Sequence, residues 1–121
     1  MDPARLRQLL RERLKLALTA RDRTAVAAFR SAIAAIDNAE AVEVPALARG
    51  PTVVRLGVGA AETARRELTT QDVVDVIEAE VRERTAAAAE YQRLDHVEQA
   101  STLRAEAAAL QTFLETVFKE L

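Results

Sequence analysis

The stretch 24–40, TAVAAFRSAIAAIDNAE, most constrains the fold, because it is apolar on nearly every side of a helix. Its larger apolar side chains recur at steps of three and four, at Val26, Phe29, Ile33 and Ile36. This spacing places them on one helical face, while alanines cover most of the remaining surface. Such a helix is usually buried by several neighbours, and small alanines let those neighbours approach closely. The stretch therefore predicts the central helix of an all-α domain.

Composition limits the fold to one domain and removes several kinds of site. The 121 residues suffice for one compact domain, and with one Tyr and three Phe its core must be aliphatic. Aromatic platforms for single-stranded nucleic acid are nearly absent. The absence of Cys excludes disulfides, thiolate metal sites and Cys nucleophiles. We find no membrane-spanning run or signal peptide, and we expect a cytoplasmic protein with no cofactor and no metal.

Caps and apolar spacing predict a four-helix antiparallel bundle of two helical hairpins joined by a long linker. The helices are expected at about 3–22, 24–41, 70–94 and 96–120, with the linker at about 42–68. The predicted caps are Asp2 before Pro3, Thr24, Thr69 or Thr70 with Asp72, and Asp95 with Glu98. The linker holds all three glycines and two of the three prolines, a composition that favours a mobile connection over a functional loop.

The basic residues are concentrated at the start of the chain. The net charge is −2, yet residues 1–30 hold eight basic and three acidic side chains. Residues 31–121 hold nine basic and sixteen acidic side chains. The candidate contacts for RNA or another anion are Arg5, Arg7, Arg11, Lys15, Arg21 and Arg23. The row formed by residues 7, 11 and 15 is interpreted as a solvated helix face, with an anion-binding patch as the alternative.

Four charged residues lie on or beside faces that should point inward. We predict a buried or half-buried structural ionic cluster of Arg30, Glu40, Glu80 and Arg84. Charges in such positions are costly unless they are paired, and residues 80 and 84 are one turn apart. The cluster has two interpretations: ion pairs that fix the register of the helices, or a functional site whose groups have shifted pKa values. We favour the first, because no nucleophile is expected nearby.

The last helix carries the cleanest heptad-like seam in the chain, from Ala100 to Leu121. Phe113 and Phe118 flank this seam. If they are not covered within the monomer, they mark a surface for a homodimer. His96 is the only histidine, and it is expected at the surface without partners for a metal.

Two ordered blocks of residues resemble a known family. The first block comprises Leu14-Lys15, Ala20-Arg21-Asp22, Phe29-Arg30 and Ala34 to Glu40. The second comprises Glu67-Leu68-Thr69, Val73, Ile77, Glu80, Arg82, Arg84, Tyr91, Asp95, Glu106, Leu110 and Phe113-Leu114. Over most of residues 5–115, the chain resembles the YqeY-like family, relatives of the tail domain of the aspartyl/glutamyl-tRNA amidotransferase B subunit.

The resemblance implies a small, cytoplasmic, all-helical bacterial protein, and for the amidotransferase relatives it implies contact with tRNA. It covers only the family's N-terminal helical domain, since here Glu115 follows Phe113-Leu114 where members commonly have Pro and a further helical domain. The first function hypothesis is a non-catalytic helical adaptor that binds a protein partner or its own copy. The second is a tRNA-associated accessory protein, and an enzyme is placed last because no nucleophile–base pair is apparent.

Overall fold

The computed structural model describes residues 1–41 and 67–120, and within those ranges the chain is all-helical, with four α-helices and no strand. The helices are α1 (Pro3–Ala20), α2 (Arg23–Ala41), α3 (Thr70–Arg93) and α4 (Val97–Glu120). The predicted linker at about 42–68 lies outside the described residues, apart from its last two positions. Of these, Leu68 is buried in the core.

Aspartate side chains cap the first two helices. The Asp2 carboxylate accepts a hydrogen bond of 2.7 Å from the backbone N–H of Arg5, and Pro3 occupies the first turn, where no N–H is needed. Asp22, and not Thr24 as predicted, is the residue before α2, and its carboxylate accepts from the Ala25 N–H at 3.1 Å. The predicted cap was two residues too late, because Asp and Thr are both good N-caps.

Helix α3 begins with a reciprocal cap formed by Asp72 and Thr69, one of the two residues predicted to start this helix. The Thr69 hydroxyl accepts from the Asp72 N–H at 3.0 Å, and the Asp72 carboxylate accepts from the Thr69 N–H at 2.9 Å. Both bonds satisfy backbone donors that have no partner inside the helix. The cap therefore fixes where the chain enters α3.

Replacing Thr69 with Ala should lower the free energy of unfolding by about 1 kcal/mol, because the Asp72 N–H loses its acceptor. Urea titration followed by circular dichroism would measure the change. Thr102→Ala is the control, since Thr102 is exposed within α4. Equal stability of the two variants would contradict a role for the cap.

Helices α1 and α3 end in the same kind of turn, which the sequence did not predict. In each, a residue with positive φ follows the helix: Arg21 at 57° and Asp95 at 60°. The N–H groups of the next residues, Asp22 and His96, bond back to carbonyls five positions earlier, at 3.0 and 2.9 Å. This is a Schellman motif with a non-glycine residue in the left-handed position. Asp95 therefore ends α3, and the prediction that it caps α4 was wrong.

Helix α2 is the only described helix that packs extensively against all three others. Its Ala28, Ala32 and Ile36 are buried, together with apolar residues of α1, α3 and α4. The rings of Phe29 and Phe113 meet edge to face, with centroids 6.3 Å apart. The central position that the alanine-rich sequence predicted for this helix is confirmed, because short side chains allow close approach from several sides.

Helices α3 and α4 make the most extensive pairing in the described residues, and part of it lies apart from the main core. Ala88, Ala100 and Ala107 are buried but do not belong to the core cluster that includes α1 and α2. Residues 89–99, around the turn between the two helices, are all exposed. None of the helices in the described ranges combines the length and apolarity needed to cross a bilayer.

Candidate binding groove

An open groove of about 430 Å³ lies where α1 turns into α2. Its lining residues are Leu18, Arg21, Arg23, Val26, Ala27 and Arg30. We call it the arginine groove. Leu18 and Ala27 are exposed and Val26 is half-buried, so the groove has an apolar floor that solvent can reach. Three arginines form the rest of its lining.

Local backbone geometry brings the three arginines together. Arg21 takes the left-handed conformation that ends α1, which sets its position beside the first turn of α2. Arg23 and Arg30 are seven residues apart in α2, a spacing of about two turns, so they lie along one face. The groove is thus formed by two helices and the turn between them.

The arginines of the groove have no carboxylate partner among residues 1–41 and 67–120. Arg21, Arg23 and Arg30 are all exposed. In the part of the chain that the structure describes, no carboxylate lies within ion-pair distance of any of them. Asp22 is adjacent in sequence, but its carboxylate accepts the Ala25 N–H. The groove therefore presents positive charge around an apolar surface.

Only part of the predicted anion-binding set lies in this groove. Arg5 Nη1 is 4.0 Å from Glu12 Oε1, and Arg7 forms an ion pair with Glu40 at the other end of α2. The Arg7 Nε atom is buried and has no hydrogen-bond partner among residues 1–41 and 67–120.

The other members of the predicted set are exposed. Arg11 and Lys15 lie on the surface of α1, and Arg11 is beside Ile33 and Asp37 of α2. Arg21 and Arg23 are the two members that line the groove.

The predicted four-residue ionic cluster is divided between two places, and Arg30 belongs to neither. Arg84 donates from Nη1 to Glu80 Oε1 at 3.0 Å and from Nε to Glu106 Oε1 at 2.9 Å. The Ser31 hydroxyl donates to the same Glu80 oxygen at 2.6 Å. Glu80, 9% exposed, is the one buried charged residue among those described. We call residues 31, 80, 84 and 106 the buried network.

Glu40 and Arg30 lie outside the buried network for different reasons. Glu40 is near the end of α2 and pairs there with Arg7 of α1. Arg30 is exposed in the arginine groove, because α2 turns the side of residue 30 away from the core. Its seven-residue spacing from Arg23 was the available sequence signal for this position.

The two phenylalanines of α4 have different environments. Phe113 is 1% exposed and packs on Phe29, so it is covered within the monomer. Phe118 is 47% exposed and lies beside Val81 and Leu114. Of the predicted dimer surface, only Phe118 is available. His96 is exposed, with its ring 5.9 Å from that of Tyr91.

Among the residues that the structure describes, no three His, Asp or Glu side chains are grouped as they would be to hold a metal ion. Comparisons with family models, with curated proteins and with solved structures found no match to this chain.

Proposed function

We propose that this chain is a non-catalytic helical adaptor, a protein-interaction domain that binds an anionic segment of a protein in the arginine groove. The observation that supports this most directly is the set of three exposed guanidinium groups with no carboxylate partner among the described residues. Exposed arginines of this kind can form bidentate bonds with carboxylates of a partner. The buried network does not compete for this role, since its groups already bond to one another.

The apolar floor favours a protein segment as the occupant. Leu18, Val26 and Ala27 offer a surface on which aliphatic side chains can lose water, and the arginines around it can meet acidic side chains. A sugar–phosphate backbone supplies the charge but no aliphatic group for that floor. An acidic, partly aliphatic segment satisfies both parts of the groove.

The adaptor is proposed to be an antiparallel bundle of two helical hairpins. Three contacts support this arrangement. Arg7 near the start of α1 pairs with Glu40 near the end of α2, and the Thr70 hydroxyl donates to the Met1 carbonyl at 2.7 Å. Arg104 near the start of α4 donates to Gln92 near the end of α3 at 3.2 Å. In this arrangement both hairpin turns lie at the same end of the molecule.

A tRNA-associated accessory role is the second candidate function. The arginine groove favours it, because phosphate groups also bind arginine, and the resemblance of residues 5–115 to the YqeY-like family points the same way. Both candidates are proposed to act in the cytoplasm. RNA binding of this type weakens steeply with salt, whereas a contact with an apolar part weakens less.

Affinity capture from a bacterial extract, with and without ribonuclease, distinguishes the two candidates. The tagged chain should retain a protein after ribonuclease treatment. The double variant Arg21→Glu/Arg30→Glu should retain roughly tenfold less of it, because two attractive contacts become repulsive. Arg82→Glu/Lys119→Glu is the matched control, since it makes the same charge change at exposed sites on α3 and α4.

The capture experiment gives different results for the adaptor and for the tRNA-associated protein. Capture that is lost on ribonuclease treatment, together with salt-dependent binding of purified tRNA, would replace the adaptor by the accessory role. Equal capture by the groove variant and the wild-type chain would show that the arginine groove is not the binding surface.

A further inference from the structure

We propose that the partner in the arginine groove is a second copy of this chain, which inserts the exposed turn between its α3 and α4. This inference rests on the proposed function, because it names the occupant of the same groove. The inserted surface is formed by Tyr91, Leu94, Asp95, Val97 and Glu98. We call it the acidic end.

The acidic end has the two properties that the groove requires. Leu94 and Val97 are each 57% exposed, although they are large and apolar. Asp95 and Glu98 lie beside them, and no cation of the described residues is within ion-pair distance of either carboxylate. Glu90 differs, because it pairs with Arg93. The acidic end thus offers two carboxylates together with two aliphatic side chains.

The charges of the two halves favour this contact between copies. Residues 1–41 hold eight basic and five acidic side chains, and residues 67–120 hold five basic and twelve acidic. The α1–α2 half of one copy therefore attracts the α3–α4 half of another. In the docked pair, Leu94 and Val97 cover the groove floor while Asp95 and Glu98 meet its arginines.

The arrangement can close as a symmetric pair. In the proposed bundle, the arginine groove and the acidic end lie at the same end of the molecule. Each copy can therefore place its acidic end in the other's groove, related by a two-fold axis, so that the contact forms twice. A reciprocal contact also explains why both surfaces remain exposed in a single copy.

Charge reversal tests the pairing with purified protein. Light scattering over a range of concentrations should show the wild-type mass rising toward that of a dimer. The groove variant Arg21→Glu/Arg30→Glu and the end variant Asp95→Arg/Glu98→Arg should each stay monomeric, with at least about a tenfold weaker association. Arginine at position 95 is a reasonable replacement, since Arg21 already takes the same left-handed conformation.

Mixing the two variants gives the sharpest result. In an equimolar mixture, the reversed groove of one variant faces the reversed end of the other, and the two unreversed surfaces face each other. Both contacts then join opposite charges, so the dimer should return. The control Arg82→Glu/Lys119→Glu should associate as the wild-type chain does, and circular dichroism should show that all variants remain helical.

Two outcomes would overturn the pairing. One is a wild-type chain that is monomeric at every concentration, and the other is a mixture that associates no better than either variant alone. If groove-dependent capture of another protein persists in those cases, the adaptor function stands and only the identity of its partner changes. If that capture is also absent, the adaptor function fails as well.

Discussion

Truncating Phe113 to Ala should lower the free energy of unfolding by about 3–5 kcal/mol, as for other buried phenylalanines. The ring is 1% exposed and packs edge to face on Phe29, so the variant loses buried apolar area, one aromatic pair and packing density. The Phe113 ring lies between α2 and α4, so a cavity at this position weakens the packing of α2 against α4. Urea unfolding followed by circular dichroism would measure the loss.

Phe118→Ala is the matched control, because it makes the same chemical change five residues later in the same helix. Phe118 is 47% exposed, so its truncation should cost less than about 1 kcal/mol. Similar losses for the two variants would show that the core does not centre on the Phe29–Phe113 contact. A change in the association of the Phe118 variant, with stability unchanged, would instead point to a surface on α4.

Much of the fold could be predicted because its determinants are local. The apolar spacing of 24–40 and its alanines predicted a helix buried by several neighbours, and α2 occupies that position. The Thr69–Asp72 cap was predictable because both residues of the reciprocal bond lie within one turn. Periodicity and capping depend on neighbours three or four positions away, which the sequence shows directly.

The candidate site was only partly predictable, because it depends on how helices face one another. Periodicity placed Arg30 beside the apolar stripe of α2 but could not say which side α1 would leave exposed. Glu106 and Ser31 were missed in the buried network for the same reason, since each reaches Arg84 or Glu80 from another helix. Asp95 was assigned to the wrong helix because aspartate suits both an N-cap and a left-handed turn.

The buried network makes a second large effect predictable. Replacing Arg84 with Met should lower the free energy of unfolding by about 3 kcal/mol, because it leaves two carboxylates without their shared cation. Glu80 and Glu106 each place an oxygen within 3.0 Å of an Arg84 nitrogen, so the two carboxylates lie close together. Ser31 can donate to only one of them. Both repulsion and desolvation therefore act against the variant.

Adding Glu106→Gln to the Arg84→Met variant tests whether the two carboxylates left without a cation cause the loss of stability. The second change removes one of the two facing charges, so it should restore about 1–2 kcal/mol of the lost stability, although it costs stability in the wild-type chain. Arg82→Met is the control, because Arg82 is exposed in the same helix and its replacement should stay within about 0.5 kcal/mol of the wild type. If Arg84→Met lowered the free energy of unfolding no more than Arg82→Met does, the buried network would stabilise the fold no more than a surface ion pair. The register of α3 against α2 and α4 would then have to come from apolar packing alone.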